Sequence, residues 1–332
     1  MDKKRHHYIP QTYLKRFAGN DGKVYIHLKD EPGKVIHQTP DNTAFHKYFY
    51  SQPLPDGGRD NNKLEDFFGT VENKWPSLVD AIHNRRPIKI DDLYEFIALQ
   101  RARVPAARDA FEKMQAESVR AAAFTLDKMG LLPPKPEGME DILEQALISI
   151  DPHQSIHSMP TAMRAMGTVL DRLGLAVLHN TTDVPFLTSD NPVVYFDPRL
   201  ADEELLPYTI DRNGGPVAFQ FPITPQLMLY GYSEIRDAFV RNGLGHGDIR
   251  DVDKVEMFNR LTCRFGYRAV FSQAPGTEGL VQEYAAKSPI VESVILPQDK
   301  GHLVVSQSVF GQRTPKPKWD DKDRSNPATS GE

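Results

Sequence analysis

Residues 64–82 read Leu-Glu-Asp-Phe-Phe-Gly-Thr-Val-Glu-Asn-Lys-Trp-Pro-Ser-Leu-Val-Asp-Ala-Ile. Leu64, Phe67, Phe68, Val71, Trp75, Leu78, Val79 and Ile82 recur every three or four positions, which places them on one face of a helix and predicts that this face is buried. Pro76 lacks an amide hydrogen and its ring crowds the preceding turn, so the helix is expected to kink or restart there. Past Pro87, Asp91 or Asp92 caps a second helix carrying Leu93, Phe96 and Ile97, kinked near Pro105 and running to about Met129. A proline-rich connection at 132–138 and weaker helices around 142–150 and 161–173 complete a helical middle spanning about residues 61–173.

The flanks have a different texture. Lys23 to Leu28 and Lys34 to His37, on either side of Pro32-Gly33, read as a hairpin, with a short strand expected at Tyr48–Tyr50. Beyond the helices, strands are expected at 175–178, 192–196, 217–221, 227–230, 268–271 and 291–296, with one further helix from about Asp251 to Arg264. Helices between β-rich ends predict an α+β fold, in which a mixed or antiparallel sheet from both chain ends packs against the helical middle. The expected organisation is one domain over residues 1–311 and a disordered Pro/Lys/Asp/Ser-rich tail at 312–332.

Composition narrows the function classes. With 26% charged and 39% hydrophobic residues, the chain is ordinary for a globular protein, and a net charge of −5 argues against a generally sticky nucleic-acid binder. The lone cysteine, Cys263, excludes an intrachain disulfide and a thiolate zinc cluster, and its apolar neighbours predict a buried, inert thiol. No run approaches the roughly 18 apolar residues of a membrane span, and no secretory pattern opens the chain, so a cytoplasmic protein without a membrane partner is expected.

Polar residues where apolar ones are expected mark the candidate site. His6-His7-Tyr8-Ile9-Pro10-Gln11 sets two imidazoles before a turn that Tyr13, Leu14 and Phe17 can anchor. On the second helix Gln100 falls inside the apolar stripe and Arg103 on its edge, so each needs a partner; Glu72 is one internal candidate, and an anionic ligand is the other. Arg108, past the proline, is placed at the rim. The turn Thr188-Ser189-Asp190-Asn191-Pro192 either organises its own backbone or fixes Asp190 to bind metal, accept a proton or orient His7. Ser189 is not read as a nucleophile, since no Gly-x-Ser-x-Gly elbow surrounds it. Asn259, three positions after Glu256, either bonds a loop or substrate or stays on an exposed helix surface. There is no phosphate loop, dinucleotide fingerprint or His-Glu-x-x-His helix, and the remaining histidines, His179 and His246 among them, lack ligand spacing.

These islands together resemble the domain-of-unknown-function family 4238. The resemblance rests on His-His-Tyr-Ile-Pro-Gln-x-Tyr-Leu-x-x-Phe from His6, Gln100-x-x-Arg103 with Pro105 and Arg108, Phe186 to Val193, and Val255-Glu256-x-x-Asn259, and covers about residues 5–297. It implies a shared fold and a shared site but no activity. Convergence of the islands leads to three expectations. In the first, His7 and Asp190, with Glu72, bind a divalent ion or supply a general base, while Gln100, Arg103 and Arg108, with Ser189, Asn191 and Asn259, hold substrate. That arrangement would make the protein a phosphodiesterase or nuclease-like hydrolase acting on nucleic acid or a nucleotide. In the second, the same pocket binds a nucleotide or anionic ligand without catalysis. In the third, the islands are a buried structural network.

Overall fold

Pro76 lies at the start of a helix rather than inside one: helices span Lys63–Glu72 and Trp75–His83, with the chain turning between them. Most of the apolar stripe is buried along both, Phe68, Val71, Trp75 and Ile82 being at most 2% exposed, but Phe67, expected on the same face, is turned outward and 46% exposed. At Pro105 the sequence predicts a kink, but the break is complete. Val104 takes extended angles (φ −71°, ψ 153°), as a residue before proline prefers, and divides Ile90–Arg103 from the long helix Pro105–Lys128. The expected helix at 142–150 is a single turn, Ile142–Gln145, which buries nothing. Helices Pro152–His157, capped by the Asp151 carboxylate, and Met159–Leu170 follow. The computed structural model describes residues 3–211 and 213–317.

The chain is α+β, with several sheets around the helical middle. One sheet of five strands runs in the order Gly245–Ile249, Gly174–Asn180, Leu227–Tyr232, Ala218–Thr224, Val194–Phe196. Its first pair is parallel and the others antiparallel, so the sheet is mixed. A second sheet orders Val35–Gln38, Val24–Leu28, Ala269–Ser272 and Thr188–Ser189, and here the two chain ends meet. The strand expected at 48–50 is displaced: Tyr48 has φ 58°, and Phe45–Lys47 pairs instead with Arg5–His7. Other strands that escaped sequence reading are the short pair Gln52–Pro53 and Arg59–Asp60, Thr188–Ser189, Gly245–Ile249, and the second arm of a terminal hairpin, Ser288–Gln298 with Gly301–Gly311, which lies along the long helix.

Aromatic side chains join the layers. Trp75 stacks on Phe96 at 4.0 Å, while Tyr13 touches both and reaches Phe221 of the five-stranded sheet. The Tyr13 hydroxyl donates to the Pro222 carbonyl at 2.6 Å, so its polar end is satisfied inside the core. Lys29, also buried, donates its ammonium to the carbonyls of Cys263, Gly266 and Lys287, pinning the amino-terminal strand to the late helix and the terminal hairpin.

Candidate functional site

The His-His motif begins in a strand, Arg5–His7, and is gripped from the side by the second helix. Gln100 donates its amide to the Tyr8 carbonyl at 3.1 Å, and Arg103 donates to the His7 carbonyl and to Glu72. The polar side chains that the helical wheel placed in a buried stripe therefore hold main-chain carbonyls, and of the two partners considered for Arg103 the Glu72 ion pair forms. The Phe68 ring faces the Arg103 guanidinium at 4.8 Å, and the Tyr50 hydroxyl returns a hydrogen bond to the Arg103 carbonyl at 2.8 Å.

The two histidines differ. His6 is fully buried: its Nδ1 accepts the Tyr50 amide at 2.8 Å, so Nε2 carries the hydrogen it gives to the Lys3 carbonyl at 3.0 Å. His7 is half-buried. Its Nε2 lies 3.1 Å from the Asp41 carbonyl and must donate there, which leaves Nδ1 as the basic nitrogen. Burial, followed by the Arg103 charge, lowers the His7 pKa and keeps the ring neutral. Glu65 faces the same guanidinium; burial pushes its carboxyl up to about 7, and one of its oxygens has no hydrogen-bond partner.

Asp190 occupies a separate place. It has no exposed surface, and its oxygens accept the amides of Tyr267 and Arg268 at 2.8 Å each. Burial raises its pKa, and the backbone amides oppose that rise. Ser189 accepts the Asn191 amide at 3.2 Å, and Asn191 donates to the Phe265 carbonyl at 2.8 Å. Asn259, from the helix Val252–Phe265, accepts the Leu187 amide and donates to the Pro185 carbonyl, 2.9 Å each. The later turn and the late helix are thus brought together, with Asn259 inside rather than on the surface, and their side chains bond main chain, apart from Asn191 to the Tyr208 hydroxyl and Thr188 to the Tyr13 hydroxyl. Among the described residues, no hydrogen bond or ion pair joins His7 to Asp190. Nor does any group of three or more His, Cys, Asp or Glu side chains stand ready to hold a metal ion among them.

Arg108 is not a rim residue. It is 3% exposed and donates to the Ser155 hydroxyl and to the Phe49 and Pro152 carbonyls at 2.8, 2.5 and 2.6 Å, because the first turn of the long helix faces inward onto them. Cys263 is buried as expected, its thiol pushed up to about 12.

An open cleft lies further along the same helix. It encloses about 340 Å³ between the long helix, residues 147–150, the start of the terminal hairpin and residues 312–317. Asp109 and Glu112, three positions apart, present carboxylates to it, and the Lys316 ammonium bridges them at 2.5 and 2.6 Å. Tyr267 donates its hydroxyl to Asp109 at 2.7 Å; burial and that carboxylate keep the phenol protonated. Ser155 Oγ, which accepts from Arg108, lies 2.9 Å from Glu112 and links the cleft to the interior. Sequence reading took Arg108 and passed over Asp109 and Glu112, although two acids at helical spacing beside a buried arginine were the available signal. Of the tail expected at 312–332, residues 318–332, with Lys318, Lys322 and Arg324, lie outside the described residues. Residues 312–317 line the cleft, Arg313 pairing with Asp30.

No helix among the described residues is long and apolar enough to cross a membrane. No curated protein and no solved structure matches the chain. A family model does, over residues 5–275: the chain belongs to the family described as a protein of unknown function, DUF4238.

Proposed function

We propose that the protein is a non-catalytic binding module whose cleft receives an extended, lysine-bearing polypeptide segment, and that residues 312–317 hold the place of that segment along one side of the cleft in the isolated chain. The observation carrying this reading is the Lys316 ammonium between Asp109 and Glu112. Glu112 is 8% exposed, and a carboxylate so buried is costly without a cation beside it. Of the other charges of the wall, Glu117 is paired with both Lys113 and Arg120, and Asp109 is also paired with Arg268 at 3.4 Å. Withdrawing Lys316 therefore leaves the buried Glu112 without its paired cation, which favours a cationic ligand at that point and disfavours the nucleotide or nucleic acid that the sequence suggested. Pro315 and Pro317 flank the lysine and suit an extended segment that needs no amide partners. The test is titration of the free peptide Gln-Arg-Thr-Pro-Lys-Pro into full-length Lys316→Ala protein, followed by isothermal calorimetry. Saturable binding, lost on adding Asp109→Asn and Glu112→Gln, is expected; a variant that takes up no peptide refutes the reading.

A second reading keeps the phosphodiesterase or nuclease-like hydrolase, and one observation favours it: His7 is neutral, half-buried and has its tautomer set, and the Glu65 carboxyl, pushed up to about 7, faces the same Arg103 as a candidate proton donor. A divalent ion in this reading rests on His7 and Glu72, since Asp190 gives both oxygens to amides. Hydrolysis of RNA or DNA with Mg²⁺ or Mn²⁺ that falls at least about 100-fold in His7→Ala would favour this reading over the binding module. No hydrolysis by the wild type would remove it.

A further inference from the structure

The parallel pair Gly174–Asn180 and Gly245–Ile249 brings together side chains that stand 67 positions apart in the chain. Its register sets His179 opposite Asp248, and His246 lies two residues before Asp248 on the same strand, so all three share one face of the sheet. His179 Nε2 and His246 Nδ1 are 2.9 Å apart. At that distance one nitrogen must carry a hydrogen and the other must accept it, so the two rings point a shared proton at each other. Asp248 turns to Arg85, and a cavity of about 490 Å³, lined in part by Arg85, Arg86 and His246, opens beside the pair.

We propose that His179 and His246 form a zinc site, with Zn²⁺ taking the place of the proton between the rings and Asp248 leaving Arg85 to serve as the third ligand. Neutral imidazole is the commonest protein ligand for zinc. Two nitrogens bound to tetrahedral zinc at about 2.0–2.1 Å stand roughly 3.4 Å apart, so the rings need to part by only about half an ångström. The hydrogen between them moves to the far nitrogen of its own ring by exchange with water; both rings remain neutral, and no bond is oxidised or reduced. Among the described residues no third ligand is within reach while Arg85 holds Asp248, which makes Arg85 the residue that sets affinity. The cavity gives room for water to complete the coordination.

The test is calorimetric titration of Zn²⁺ into chelator-stripped full-length protein, with circular dichroism to check that each variant is folded. One equivalent should bind to the wild type. His179→Ala and His246→Ala should each weaken binding at least tenfold, Asp248→Asn should weaken it less, and Arg85→Ala should tighten it by freeing the carboxylate. Co²⁺ in the same site should give the visible absorption of a tetrahedral complex, absent from both histidine variants. Folded histidine variants that bind zinc as tightly as the wild type, or a wild type that takes up neither metal, would overturn the proposal.

Discussion

Glu65 shows how one residue couples burial to pH. Its carboxyl titrates near 7 in the folded protein against about 4.5 in an unfolded chain, so between these values the native state holds a proton that the unfolded state has lost. The stability that Glu65 contributes then falls as pH rises from about 4.5 to 7 and levels off above. With the group partly open to solvent, the contribution is about 1–3 kcal/mol, less than the full shift implies. Glu65→Gln should therefore match the wild type near pH 4.5 and exceed its stability by about that amount at pH 8, measured by urea unfolding. An unchanged difference between the two pH values would show that the carboxyl is not held protonated. His7 and Asp190 depart from their ordinary values for the same first reason, burial, yet their neighbours differ: a guanidinium at one, main-chain amides at the other.

At the scale of elements, the second helix acts as a clamp on the first strand. Arg103 and Gln100 hold the carbonyl of His7, the last residue of a three-residue strand, and that of Tyr8 just after it; among the described residues this strand pairs only with the equally short Phe45–Lys47, and so short a pairing would fray without them. Arg103→Met removes the guanidinium while keeping most of its volume, leaving the His7 carbonyl and the Glu72 carboxylate without their donor. It should destabilise the protein by about 3–5 kcal/mol, and Glu72→Gln should cost less because Glu72 is partly solvated. A double-mutant cycle should give a coupling of the order of 1 kcal/mol or more between the two; additive effects would show that the pair contributes nothing of its own. The helix spacing and the two proline breaks were legible because they depend on neighbouring residues. The completeness of the break at Pro105 was not, since it depends on what each helix packs against.

For the whole molecule, the cleft draws on the long helix, the terminal hairpin and residues 312–317. Lys316→Ala should lower the stability of the full chain by about 1 kcal/mol, toward the low end for charge-assisted bonds because Lys316 is partly exposed. Equilibrium unfolding measures that loss, and a larger one would mean that the segment is part of the core rather than its occupant. The proposed zinc site also belongs to this scale, because His179 and His246 meet only through a parallel strand pairing.

What the sequence determined by itself was local: the amphipathic stripes, the breaks at proline, the alternating strands that meet from both ends, and the positions at which polar side chains would need partners. Gln100 and Arg103 were legible as residues requiring satisfaction, because burying an unpaired polar or charged group is costly wherever it occurs. Only the tertiary structure decided the identity of the partners. Gln100 meets Tyr8 across 92 positions, and Lys316 meets Glu112 across 204. A hydrogen bond extends only about 3 Å, so small differences in how helices and sheets pack select one partner among many of similar chemistry. Periodicity shows which face is buried and leaves open what stands opposite it.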